Sequence, residues 1–118
     1  MAILSENEAA VIVERLLDRT KAGTLNWSVF EPSRGKEYVA RTKNFTYYVK
    51  SRDEDEMAPY VLQLWKNGRP GSESAKVDEI ETGVDGPYNE ALSSLYSAAQ
   101  LLALGIESLK DDILKDLE

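Results

Sequence analysis

The chain has 118 residues, no cysteine, no histidine and a formal net charge of −7, and 42% of its residues are hydrophobic. This length and apolar content suit one domain spanning residues 1–118, and no apolar run is long enough for a membrane span. Without cysteine and histidine there are no disulfides, thiol nucleophiles, histidine bases or His- or thiolate-ligated metal sites. We therefore predict a cytoplasmic protein that is not an enzyme and that needs no cofactor or metal.

The charge of the chain is unevenly distributed. Residues 33–52 contain six basic residues against one acidic residue, a net charge of +5, whereas residues 71–118 contain eleven acidic against three basic residues, a net charge of −8. An acidic protein repels nucleic acids and anionic membranes. We therefore expect weak or no binding of nucleic acid, no membrane partner, and an acidic half suited to a basic protein surface, as in an inhibitor or immunity-type protein.

The N-terminal segment predicts a helix over residues 5–21. Ser5 and Glu8 have the spacing of a capping box, and Gly23 supplies the left-handed residue that commonly follows a helix. The apolar residues of this helix recur on one face: Ala9, Ile12, Val13, Leu16 and Leu17. A first, half-buried strand is predicted to follow directly, because apolar residues then alternate with polar ones at Leu25, Trp27 and Val29.

The middle of the chain predicts an antiparallel meander. Residues 38–42 and 45–49 are rich in aromatic and β-branched residues and indicate a hairpin, with one continuous strand as the alternative. Residues 60–66 indicate a fourth strand, and Asn67 with Gly68 is typical of a type I′ hairpin turn. A fifth strand is expected to be short or irregular, because a proline, a glycine and two serines precede it.

The last third of the chain predicts a long helix that begins around Asp85-Gly86-Pro87. Its apolar residues recur in steps of three and four: Leu92, Leu95, Ala99, Leu102, Ile106, Leu109 and Ile113. About 31 helical residues would span roughly 46 Å, which exceeds the diameter of so small a domain. We therefore expect either a kink at Gly105 that folds the distal half back or, preferably, a homodimer with the seam Ile106, Leu109, Ile113 and Leu117.

Together these elements predict an α+β domain. An N-terminal helix is followed by an antiparallel meander of four to five strands and by a long C-terminal helix, which is kinked at Gly105 in one of the two alternatives. Both helices are expected to cover one face of the sheet.

Aromatic and basic residues interleave along the second and third predicted strands. Such residues can stack on rings and hold phosphates, so we take as the candidate binding face Arg41, Lys43, Tyr47, Lys50 and Arg52. A structural sheet face with cations at its rim is the alternative interpretation. Trp27 and Trp65 are the largest apolar groups, and core packing is favoured for both over a surface groove.

The acidic clusters contain no recognisable metal-binding or catalytic motif. Residues 53–56 lack the order of an EF-hand, and Asp111, Asp112 and Asp116 lack the apolar surroundings that a general acid needs. Residues 71–74 begin like a nucleophile elbow but have neither its second glycine nor a histidine. Three hypotheses follow. The favoured one is a non-enzymatic protein-protein interaction domain, and the alternative is a binder of small molecules or single-stranded nucleic acid. The least favoured is an enzyme that uses only carboxylates, lysine and tyrosine.

The order of the structural residues resembles that of a group of small, uncharacterised bacterial and phage-borne proteins. The resemblance is carried by "L..T..G.L.W" from Leu17 to Trp27, "Y.L.I...G" from Tyr60 to Gly68, and "L..LY..A" from Leu92 to Ala99, with Leu64 at the isoleucine position. It implies an α+β domain of bacterial or phage origin. It does not imply an activity.

Overall fold

The computed structural model describes residues 3–33, 36–53, 57–68, 75–83, 86 and 88–118, and only the backbone of residues 106–108. The fold is α+β, with an antiparallel sheet in the order β1-β2-β3-β4-β5, so that each strand pairs with its neighbours along the chain. The elements are α1 (Glu6–Lys21), β1 (Ser28–Val29), β2 (Glu37–Arg41), β3 (Phe45–Ser51), β4 (Tyr60–Lys66), β5 (Ala75–Glu81), α2 (Asn89–Leu104) and α3 (Ile106–Asp116).

The first helix begins and ends where its capping residues predict. Ser5 Oγ accepts a hydrogen bond from the backbone N–H of Glu8 at 3.2 Å, and Glu8 Oε1 accepts one from the backbone N–H of Ser5 at 3.0 Å. Gly23, just beyond the helix, has a φ of +77°. A side chain at this position would strain the backbone, which explains why a glycine follows the helix end.

The predicted first strand is largely wrong, because β1 contains only Ser28–Val29. Leu25 and Trp27 are nevertheless buried, as the alternation suggested. Trp27 Nε1 donates a hydrogen bond to Thr20 Oγ1 at 2.9 Å, which ties this segment to α1 rather than to a neighbouring strand. Alternation thus identified the buried side chains but not the backbone pairing.

The meander of β2, β3 and β4 confirms the predicted hairpin. Cross-strand partners run from Glu37 with Lys50 to Arg41 with Thr46, so the alternative of one continuous strand is excluded. The predicted fourth strand matches β4 residue for residue.

The type I′ turn predicted at Asn67 and Gly68 is wrong. Residues 67–74 separate β4 from β5, which is too long for a two-residue turn. Asn67 instead braces the β2–β3 turn, because its Nδ2 donates to the carbonyl oxygens of Thr42 at 3.0 Å and Lys43 at 3.3 Å. β5 is not short, since it has seven residues, but its pairing with β4 is irregular at Leu64/Trp65, as the other alternative expected.

The core lies between one face of the sheet and the helices α1 and α2. Alternate strand residues enter it, and the two helices supply the opposing layer. The sheet contributes Tyr38, Ala40, Val49, Leu62, Leu64 and Ile80, and the helices contribute Ala9, Val13, Leu16, Leu92, Leu95, Tyr96 and Ala99. The opposite face, here called the outer face, carries the strand residues that alternate with these, including Tyr48 and Trp65.

Asp78 is a charged side chain on the core side of β5, where its residue is only 7% exposed. Its Oδ2 accepts from the backbone N–H groups of Ile3 at 3.1 Å and Leu4 at 3.0 Å, and its Oδ1 accepts from that of Glu79 at 2.7 Å. Burial opposes ionisation of the carboxyl, but these hydrogen bonds outweigh it and hold the pKa of Asp78 below its ordinary value. Asp78 therefore fastens the segment before α1 to the last strand.

The substitution Asp78→Asn is expected to lower the free energy of unfolding by about 1–2 kcal/mol at pH 7. The depressed pKa means that the carboxylate stabilises the fold above its unfolded pKa of about 3.9, and that this stabilisation is lost as the pH falls through the lower, folded pKa. The difference between variant and wild type should therefore shrink in acid. Urea unfolding at several pH values measures it, with exposed Asp18→Asn as the control, and equal stability of Asp78→Asn and wild type at pH 7 would contradict the assignment.

The predicted C-terminal helix is interrupted at Gly105, as one alternative proposed. Gly105 has a φ of +62° and is both the C-cap of α2 and the N-cap of α3. The predicted fold-back is wrong, because Leu109 is 53% and Ile113 is 58% exposed. The helix start predicted at Asp85 and Pro87 lies outside the described residues, and α2 begins at Asn89.

Candidate functional site

The five residues of the predicted binding face do not form one surface. Arg41 and Lys50 lie on the outer face, whereas Tyr47 packs against the core from the other face. Successive residues of a strand point to opposite sides, so Tyr47 and its neighbour Tyr48 cannot share a face. Lys43 lies in the exposed β2–β3 turn. The prediction of Tyr47 as a ring of this face is therefore corrected to Tyr48.

Arg52, the fifth predicted residue, lies beyond the end of β3 and is held by carboxylates. Its Nη2 is 3.4 Å from Asp53 Oδ2, and its Nη1 is 2.9 Å from Glu81 Oε1. The hydrogen bonds to Asp53 and Glu81 raise the pKa of Arg52. Because its charge is already matched locally, Arg52 is a poor candidate for holding a phosphate.

The outer face carries three aromatic rings in successive contact, Phe30, Tyr48 and Trp65, here called the aromatic row. The ring centroids of Phe30 and Tyr48 are 5.3 Å apart and those of Tyr48 and Trp65 are 6.4 Å apart, both in edge-to-face geometry. Trp65 is thus on the surface, contrary to the favoured core interpretation, while Trp27 is in the core. Sequence reasoning missed Phe30, which lies outside the regular strands.

A chain of hydrogen bonds orients the indole of Trp65. Its Nε1 donates to Gln63 Oε1 at 3.2 Å, and Gln63 Nε2 donates to Glu79 Oε1 at 3.1 Å. Lys76 Nζ lies 3.1 Å from the same Glu79 oxygen. The aromatic row is therefore braced through β4 to the edge strand β5.

Two depressions lie on the outer face and share Tyr48 and Trp65 as walls. One has a volume of about 310 Å³ and contains both charges, Glu37 and Lys50. The other, here called the cationic depression, has a volume of about 340 Å³, and of its described lining residues Arg41 alone is charged. Its remaining lining is Thr42, Thr46, Tyr48, Trp65, Asn67 and Gly68.

A second candidate surface is formed by α3 and the end of α2. The exposed large apolar side chains of this region are Leu101, Leu102, Leu104, Leu109, Ile113, Leu114 and Leu117. Three residues of the predicted dimer seam, Leu109, Ile113 and Leu117, are among them, and the side chain of Ile106 lies outside the described residues. An apolar surface of this extent marks a contact with another molecule more often than a free surface.

A third cavity, of about 460 Å³, lies between the start of β4, the end of β5 and the start of α2. Two of its polar side chains, Asn89 and Arg52, already have hydrogen-bond partners. Asn89 exchanges hydrogen bonds with the backbone of Gly83 in both directions, and Arg52 binds Glu81. Within the described part of the chain, no cluster of three or more carboxylates could hold a metal ion, and no helix has the length and apolarity needed to cross a membrane.

Comparisons with protein family models, with curated protein sequences and with solved structures find no match to this chain.

Proposed function

We propose that this protein is a non-enzymatic, cytoplasmic protein-protein interaction domain whose main contact surface is α3 with the end of α2. The observation that carries the proposal is the exposure of Leu109, Ile113 and Leu117, which repeat at helical spacing on α3. These side chains contribute nothing to the core of a single copy. Burial of one leucine against a partner would stabilise a complex by about 1.5–3 kcal/mol, which supports association through this stripe.

The partner we propose for this stripe is a second copy of the chain. At about 100° per residue, Asp112 and Asp116 lie along one edge of the stripe and Lys110 lies along the other. In a parallel helix pair the acidic edge of each copy faces the lysine-bearing edge of the other, whereas an antiparallel pair brings the two acidic edges together. The charges of α3 therefore favour a parallel, twofold homodimer.

A further protein partner is proposed from the charge of the C-terminal half. Asp111 lies on the side of α3 away from the stripe and remains exposed when the stripe is covered. Together with the net charge of −8 over residues 71–118, it suits a basic protein surface, as an inhibitor or immunity-type protein of bacterial or phage origin would need.

Engineered cysteines test the parallel dimer, because the natural chain contains none. In a parallel pair, Ile113 of one copy meets Ile113 of the other, so Ile113→Cys is expected to form an intermolecular disulfide rapidly in mild oxidant. Asp111→Cys, on the opposite side of the same helix, is the matched control and should remain largely unlinked. Non-reducing electrophoresis measures both, and equal linking of the two variants would contradict the proposal.

A further inference from the structure

We propose that the cationic depression on the outer face binds a free mononucleotide, with its base against Tyr48 and Trp65 and its phosphate on Arg41. This site is separate from α3 and does not depend on the function proposed above. It also differs from the predicted binding face, because only Arg41 of the five predicted residues lines it.

The aromatic wall of the depression is suited to a planar ring. Tyr48 and Trp65 line it from neighbouring strands, and the hydrogen bond from Trp65 Nε1 to Gln63 Oε1 holds the indole in place. Phe30 contacts Tyr48 edge to face. A nucleobase that packs against such rings contributes about 1–3 kcal/mol, and little ordering of these side chains is needed on binding.

Arg41 is the anion-binding group of the depression, because the polar side chains of Thr46 and Asn67 are already hydrogen-bonded within the protein. Thr46 Oγ1 donates to Asn67 Oδ1 at 2.5 Å, and both hydrogens of Asn67 Nδ2 are used by the carbonyl oxygens of Thr42 and Lys43. Arg41 takes part in none of the ion pairs found among the described residues. A guanidinium offers a planar set of donors that matches two oxygens of a phosphate.

Size and charge together favour a single nucleotide over a strand. A volume of about 340 Å³ is at the small end of the range for ligand sites. The second depression is not purely cationic, because its lining contains Glu37, which is opposite Lys50 in the β2–β3 register. The net charge of −7 repels a polyanion more strongly than a small one. The depression therefore matches a ligand with a single phosphate, which Arg41 can bind.

Calorimetric titration with adenosine monophosphate and uridine monophosphate tests the proposal. Saturable binding is expected, and adenosine alone or inorganic phosphate alone should bind at least about tenfold more weakly, because each offers half of the contacts. Arg41→Gln and Trp65→Leu are each expected to weaken binding about tenfold. Lys21→Gln, which removes the same charge at the end of α1, is the matched control and should change the affinity less than about twofold.

Three outcomes would overturn the proposal. One is the absence of binding of either mononucleotide at millimolar concentration to wild-type protein. Another is equal binding by Arg41→Gln and Lys21→Gln when circular dichroism shows that both are folded. The third is an oligonucleotide of eight residues that binds more than about tenfold tighter than the mononucleotides, which would assign the face to a strand instead. The variant Leu109→Asp should bind mononucleotides as wild type does, which separates this site from the α3 surface.

Discussion

The substitution Leu109→Asp is expected to convert the proposed dimer into a folded monomer. Leu109 is 53% exposed in a single copy, so the new carboxylate remains hydrated there and the fold is unaffected. In the dimer the same carboxylate would be buried without a partner, at a cost of several kcal/mol. A cost of about 3 kcal/mol corresponds to an approximately hundredfold weaker association.

Light scattering coupled to size-exclusion chromatography, over a wide range of concentration, measures this effect. Lys115→Gln is the matched control, because it changes the net charge by the same amount but lies on the side of α3 away from the stripe. It should remain dimeric. A wild-type protein that is monomeric throughout the range, or a Leu109→Asp variant that dimerises like wild type, would refute the dimer seam.

The substitution Leu95→Ala is expected to destabilise the domain by about 3–5 kcal/mol, whereas Leu102→Ala should cost less than about 1 kcal/mol. The two leucines belong to the same apolar repeat and the same helix, but Leu95 is 0% and Leu102 is 49% exposed. Removing a buried leucine loses its transfer free energy and leaves a cavity, and removing an exposed one does neither.

Urea unfolding followed by circular dichroism measures both losses of stability. The substitutions are best compared in a Leu109→Asp background, so that unfolding is not coupled to dissociation. Similar losses for Leu95→Ala and Leu102→Ala would show that the end of α2 is buried after all. A loss below about 1 kcal/mol for Leu95→Ala would contradict the packing of α2 on the sheet.

Features that depend on neighbouring residues could be predicted from the sequence. The capping box of Ser5 and Glu8, the glycine after α1 and the break at Gly105 each arise within a few residues, because local hydrogen bonds and backbone sterics determine them. The strands β2 to β4 followed in the same way from alternating aromatic and β-branched residues. The α+β class is the sum of these local elements.

Which residues make up the candidate site depends on how the strands pair, and local sequence patterns do not reveal that pairing. Alternation divides Tyr47 and Tyr48 between two faces, but only the packing of α1 and α2 decides which face becomes the core. The aromatic row required the register that brings Tyr48 beside Trp65 and the path of the chain that places Phe30 next to them. The two hydrogen bonds from Ile3 and Leu4 to Asp78 join residues more than 70 positions apart in the chain and had no local signal.

The apolar repeat of the last third of the chain separates most clearly what the sequence determines from what the tertiary structure decides. By itself the sequence determined that this region is helical and that one side of it is apolar, and it offered a break at Gly105 as one of two alternatives. Only the tertiary structure decided where burial stops, since the sheet that covers Leu92, Leu95 and Ala99 does not extend to α3. The physical reason is that helical periodicity records which side of a helix is apolar, whereas burial depends on the finite width of the layer against which that side packs.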